Sequence, residues 1–346
     1  MIDVEKLVRT NILQLKPYSS ARDDYKGSTG VFLDANENPY GKLNRYPDPY
    51  QAALKEKLSK LKKIPVQNIF IGNGSDEVID LAIRIFCTPG KDKVLLLSPT
   101  YGMYAVCAVI NDVEIINVPL DSSFQINSNE LNRFIADASV KIIFICSPNN
   151  PTGNSINGIQ YVLDHFKGIV FVDEAYIDFS KEKSWISQTK KYSNLIVSQT
   201  FSKAWGLAAA RVGTAYASAE IINLFNKIKY PYNISFLNQK AALNALCKQK
   251  LFKKRKNIIL SEKDKMKSKL LQFPFIKIIY PSDANFLLVA FTEADIIYDF
   301  LINEKIITRN RNTVVKDCIR ITIGTRQENK ILINALKRYN EKDLIS

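Results

Sequence analysis

Residues 198–213 read SQTFSKAWGLAAARVG, and this stretch decides how the rest of the chain is understood. The apolar run NLIVSQT (194–200) ends in hydroxyl-bearing residues, Lys203 follows, small Ala and Gly residues surround Trp205, and Arg211 closes the stretch. Small residues let backbone approach a bound molecule closely, while hydroxyls and a guanidinium can jointly hold an anion. Its neighbours set this lysine apart from the many others.

The pattern recurs upstream. The runs KVLLLSP (93–99), VEIINV (113–118), VKIIFICSP (140–148), GIVFVDEAY (168–176) and RVGTAYA (211–217) are rich in β-branched residues and end at Pro, Asp, Ser or Gly. They are predicted to be buried strands. Helical patterns at 128–136 and 155–166 lie between them, so the region is predicted to be an α/β domain with a largely parallel sheet. Ligands of such sheets bind beyond the carboxyl ends of the strands. From about residue 235 the pattern changes to a long helical segment, the strand-like runs FIKIIYP (275–281) and NFLLVAF (285–291), a helix at 293–303, a strand at 317–323 and a helix after Thr325. Thr325 and Glu328 have the spacing of a capping box. The expected organisation is an N-terminal arm over 1–30, a large α/β domain over 31–234 and a smaller α+β domain over 235–346.

The 346 residues suit two domains at roughly 150 residues each, and 46% hydrophobic with 24% charged residues is ordinary globular usage. A formal charge of +14 raises the prospect of a nucleic-acid or membrane partner. The lysines, however, are spread along helical faces such as SEKDKMKSKLL (261–271), and the densest run, FKKRKN (252–257), has no interleaved aromatics. Neither partner is expected. Five cysteines form no C-x-x-C pair and lie mostly in apolar runs, as buried free thiols of a reducing compartment do. The N-terminus MIDVEKLVRTN lacks the apolar core of a signal peptide, and no apolar run reaches the roughly 18 residues of a spanning helix. A cytoplasmic protein is expected. His165 is the single histidine, which excludes a multi-histidine metal site and disfavours a Ser-His-Asp triad.

The polar residues just after the strands therefore carry the function. CSPNNPTG supplies Asn150, VDEAY supplies Asp173 and Tyr176, and SQTFSKAW supplies Thr200, Ser202 and Lys203. Each alone has an ordinary explanation as a turn, a helix cap or a surface charge. Together on one rim they form a set that pyridoxal phosphate asks for: an amine for its aldehyde, a carboxylate for its ring nitrogen, donors for its 3-oxygen and an arginine for its phosphate. Lys203, Asp173, Arg211, Asn150 and Tyr176 fit those needs. Upstream, IFIGNGSDEVID places Ser75 and Asp76 at the start of a helix, where backbone amides can face a phosphate. Tyr101 in SPTYGMY can lie flat on the ring.

In this order the motifs resemble the fold-type I pyridoxal-phosphate aminotransferases, with a large, mostly parallel seven-stranded sheet. The segments PYSSAR (17–22), LDANENPYG (33–41), NRYPDP (44–49) and CIRITIGT (318–325) narrow the resemblance to the histidinol-phosphate aminotransferase family over nearly the whole chain. The resemblance implies that Lys203 binds the cofactor covalently, that Asp173 pairs its ring nitrogen, and that Ser75, Asp76, Thr200, Ser202 and Arg211 hold its phosphate. It implies that Tyr46 reaches the partner subunit's cofactor in a homodimer, and that Arg320 binds the substrate anion with Tyr18, Asn36 and Arg309 nearby. The implied reaction is transamination of L-histidinol phosphate with 2-oxoglutarate. An aromatic amino-acid aminotransferase or a threonine-phosphate decarboxylase would carry much the same cofactor motifs.

Overall fold

Ile142, Ile143, Phe144 and Ile145 are completely buried, and so are Ile169, Val170, Phe171 and Val172 on the neighbouring strand. Uninterrupted apolar runs of this kind suit strands covered on both faces, which is the condition of a parallel sheet layered by helices. In the computed structural model, which describes residues 2–18 and 30–343, they form the centre of a seven-stranded sheet. Its strands are β1 (Ile69–Asn73), β2 (Lys93–Ser98), β3 (Glu114–Pro119), β4 (Val140–Cys146), β5 (Ile169–Asp173), β6 (Leu195–Thr200) and β7 (Val212–Tyr216). They lie in the order β1-β7-β6-β5-β4-β2-β3, and β7 alone runs against its neighbours. The carboxyl ends of β1, β4, β5 and β6 therefore meet the start of β7 on one rim.

A second, wholly antiparallel sheet has the order β10-β11-β9-β8, built from β8 (Ile276–Ile279), β9 (Phe286–Phe291), β10 (Arg309–Asn310) and β11 (Cys318–Thr322). Leu287, Val289 and Phe291 pack on one face with Met266, Leu270 and Leu336 from the helices Gln249–Leu270 and Arg326–Asp343. Phe286 and Leu288 point the other way, and Phe286 meets Tyr176 of the first domain edge-on at 5.2 Å. The loop after β4 joins the two sheets: the Asp283 N–H donates to the Gly153 carbonyl (2.7 Å), and the Ser155 hydroxyl donates to Asp283 (2.7 Å).

Several expectations are refined. The helix read over 128–136 spans only Ser128–Leu131, capped by the Asn127 side chain, and continues as turns whose N–H groups reach back three or four residues. The helix read from 155 starts at Ile159, because Gly158 has φ +84 and Ser155 is engaged by Asp283. The first residues are a docked segment: Val4 and Val8 are buried in the large core, and the Arg9 N–H donates to the Ile85 carbonyl. The helix Phe236–Cys247 sends Ala242 and Leu246 into the core of the seven-stranded sheet. The capping box forms, with the Thr325 N–H donating to Glu328 at 2.6 Å and the Glu328 N–H to the Thr325 hydroxyl at 3.3 Å. Among the described residues no helix is long and apolar enough to cross a membrane.

One backbone contact pins the rim. A Cβ on Gly213 would lie 2.3 Å from Gly74 C and Ser75 N, so no side chain fits between the start of β7 and the helix that follows β1. Gly213→Ala is expected to lower unfolding stability by about 1–3 kcal/mol, the usual range for overpacking, as measured by urea denaturation. An unchanged midpoint would show that the two segments separate freely.

Candidate active site

Asp173 closes β5 and is almost completely buried. Its Oδ2 accepts a hydrogen bond from the Tyr104 hydroxyl at 2.8 Å, and its Oδ1 accepts one from the Ala175 N–H at 3.0 Å. Burial pushes its pKa up to about 6, while both donors pull it back by favouring the charged form.

Lys203 sits two residues past the buried Phe201, in a turn closed by the Leu207 N–H to the Phe201 carbonyl and the Gly206 N–H to the Lys203 carbonyl, both 3.0 Å. Trp205 stacks on Phe252 at 3.9 Å and holds the turn against the long helix. The ammonium stands 5.5 Å from the Tyr176 ring centre. Its pKa is lowered, first by burial and then by Arg320, with Asp173 opposing.

Arg211 adopts a left-handed backbone (φ 48), and its carbonyl accepts the Gly74 N–H at 2.9 Å. This brings its guanidinium to Asp76 (3.2 Å) and the Ser202 hydroxyl (3.4 Å). Tyr101 donates to the other oxygen of Asp76 at 3.2 Å, and the Ser202 N–H donates to the Thr200 hydroxyl at 3.1 Å. Ser75 and Asp76 occupy the first turn of the helix Gly74–Phe86, whose free amides attract anions.

The second sheet closes the site from above. Arg320 on β11 donates to the Asn150 side-chain oxygen and lies 5.2 Å from the Phe286 ring centre. Arg309 stands directly opposite Arg320 in the β10–β11 ladder, and Arg311 follows just past the strand. Ser75, Asp76, Tyr101, Asn150, Asp173, Tyr176, Thr200, Ser202, Lys203, Arg211, Arg309, Arg311 and Arg320 line one cavity of about 400 Å³. The residues read from the sequence as cofactor-binding thus converge, apart from Tyr46.

Tyr46 is half exposed, stacks on Tyr232 at 4.3 Å, and lines with Asn36 a separate groove of about 950 Å³. Tyr18 is 74% exposed, and residues 19–22 of PYSSAR lie outside the described residues. One chain therefore does not bring Tyr18, Asn36 or Tyr46 into the cavity. Sequence reasoning missed Tyr104 and Arg311. Tyr104 lies in the apolar helix Met103–Ile110, three residues after Tyr101, which stands outside that helix. Arg311 repeats Arg309 at a spacing of two, which keeps extended chain on one face.

A family model described as aminotransferase class I and II matches residues 25–336, the class that this fold and this rim define. A histidinol-phosphate aminotransferase from Parabacteroides distasonis is 51% identical over 342 residues, covering 97% of this chain and 99% of that one. One from Cytophaga hutchinsonii is 50% identical over 345 residues, covering 97% and 99%. The crystal structure of histidinol-phosphate aminotransferase from Sinorhizobium meliloti in complex with pyridoxal-5'-phosphate superposes with a TM-score of 0.80 at 21% identity, over 96% of this chain and 98% of that one. The chain belongs to the histidinol-phosphate aminotransferase family.

Because its pKa is lowered, Lys203 holds a larger neutral fraction at neutral pH than an ordinary lysine, and only the neutral amine attacks an aldehyde. Borohydride trapping of the protein with sub-stoichiometric pyridoxal phosphate, followed by peptide mapping, is expected to place the label on Lys203. Label scattered over surface lysines would contradict this.

Proposed function

We propose that this cavity exchanges an amino group between L-histidinol phosphate and 2-oxoglutarate, giving imidazole-acetol phosphate and glutamate, as a step of histidine biosynthesis. The family's cofactor, pyridoxal phosphate, supplies an aldehyde that exchanges amines and a ring that withdraws electrons from the substrate carbon.

The observation that carries the reading is a surplus of positive charge. Lys203, Arg211, Arg309, Arg311 and Arg320 line one cavity with only two carboxylates, Asp76 and Asp173. Arg311 Nε and Arg320 Nε are buried without a partner. Burial lowers the pKa of both guanidiniums, and their arginine neighbours lower it further. Two anionic groups offset this surplus. Arg211, Thr200, Ser202 and the amides of Ser75 and Asp76 suit the cofactor phosphate; Arg320, with Arg309 and Arg311, suits the substrate's phosphate or α-carboxylate.

The remaining side chains fit the rest of the cofactor. Asp173 keeps the proton of the ring nitrogen, Asn150 and Tyr176 donate to the 3-oxygen, and Tyr101 lies along the ring. Lys203 Nζ would hold the aldehyde carbon, and as a free amine it is placed to move the proton at the substrate α-carbon. Histidinol phosphate and glutamate present different anions, and one forked guanidinium at Arg320 can receive either.

The same reading makes the active unit a homodimer, cytoplasmic and without nucleic-acid or membrane partners. Residues 31–234 hold the cofactor and residues 235–346 contribute the substrate arginines. The segment before the helix Ala52–Lys62 supports a dimer, since it exposes Val31 and Leu33 (each 89%) and Tyr40 (84%) beside the Tyr46 groove. A second copy covering that segment would bury these side chains, carry Tyr46 to its cofactor phosphate and bring Tyr18 and Asn36 towards a substrate.

The direct test is an assay of the purified protein with histidinol phosphate and 2-oxoglutarate; failure to form glutamate overturns the reading. Arg320→Lys keeps the charge but loses the fork, and is expected to slow both half-reactions roughly tenfold for each ~1.4 kcal/mol of transition-state binding lost. Loss with glutamate alone would exclude a shared anion site. Tyr46→Phe is expected to weaken cofactor retention while sedimentation still shows a dimer; a fully active monomeric wild type would contradict the shared site.

A further inference from the structure

The side chain that holds Asp173 ends the stretch SPTYGMY but does not itself line the cavity. Tyr104 is completely buried in the helix Met103–Ile110, its ring stacked on Phe144 (4.8 Å, 11°) and edge-on to Tyr101 (5.5 Å, 86°). Packed on two sides, the ring delivers its hydroxyl to Asp173 Oδ2 at 2.8 Å. We propose that Tyr104 is a positioning residue of the transamination: its hydroxyl fixes the plane of the Asp173 carboxylate and keeps it charged, so that a remaining lone pair meets the cofactor's ring nitrogen. This rests on the pairing of Asp173 with that nitrogen in the proposed function.

The surroundings leave Tyr104 little help. The other donor to the carboxylate is the Ala175 N–H. Asp76 from the helix Gly74–Phe86 opposes the charge and Lys203 from the β6–β7 loop favours it; Tyr101, Cys146 at the end of β4, and Tyr176 are the other titratable groups facing it. Burial has already raised Asp173 to about 6, so losing a donor moves its titration further up, towards neutral pH. A protonated Asp173 cannot hold the ring nitrogen's charge. Function is therefore lost as pH falls through the Asp173 midpoint, and without the hydroxyl that loss begins at higher pH.

Tyr104→Phe removes the hydroxyl and leaves the stack. The full-length protein, stripped of cofactor, is titrated with pyridoxal phosphate from about pH 5 to 9, alongside steady-state assays. The expected result is a dissociation constant about tenfold higher at neutral pH, a midpoint for loss of binding about one unit higher, and a kcat that recovers as pH rises. Phe144→Leu loosens the same stack but keeps the hydroxyl, and is expected to lower the melting temperature while moving the midpoint much less than Tyr104→Phe does. An unshifted Tyr104→Phe, a Phe144→Leu that shifts equally, or a Tyr104→Phe that no longer folds would overturn the proposal. A wild type with no affinity for pyridoxal phosphate would instead remove the reading beneath it.

Discussion

The site depends on a place where no side chain fits. Gly213, at the start of β7, lies against Gly74 and Ser75 so closely that a single methyl group would collide with backbone. That contact exists because β7 runs antiparallel between β1 and β6, which puts its first residues beside their last ones. Arg211 is consequently delivered to Asp76 across the seam, and Thr200 faces Gly213 in the ladder. One reversed strand thus gathers a guanidinium, a helix start and a pair of hydroxyls around a single point, which is the geometry an anion requires.

The charge balance follows from where the carboxylates stand. Asp76 is engaged by Arg211 and Tyr101, and Asp173 by Tyr104 and Ala175, so neither is directed at the arginines of the second sheet. Lys203 lies between the two cationic groups, since both Arg320 and Arg211 depress its pKa. A ligand that brings an anion to each end relieves both. The overall charge of +14 says nothing of this, because most of it resides on solvated helix faces.

Legibility tracked chain proximity. Asp173, Tyr176, Asn150 and Lys203 each follow a buried apolar run, so the strand that ends there announces them. Tyr104 gave no such signal, since a tyrosine in an apolar helix reads as core until its hydroxyl's partner, 69 residues away, is known. Arg311 was hidden among many basic residues and acquires meaning only beside Arg320 across the β10–β11 ladder. Val4 and Val8 lie in a stretch read only as an arm, and their docking on the large core had no pattern to announce it. Tyr46 and Asn36 were legible as motif residues, yet they line a groove apart from the cavity, so their motif alone did not place them.

Asn150 links the two halves and settles its own orientation. Arginine only donates, so the Asn150 oxygen must face Arg320, which leaves the amide nitrogen turned to other acceptors. That is the donor the proposed function requires at the cofactor's 3-oxygen. By fixing which end of one amide faces the cavity, Arg320 of the second sheet orients a group on the first domain. The Asp283 bonds to Gly153 and Ser155 hold the same loop on its far side. In the proposed function, an amide held in this sense by Arg320 would link substrate recognition on one sheet to cofactor recognition on the other through a single side chain.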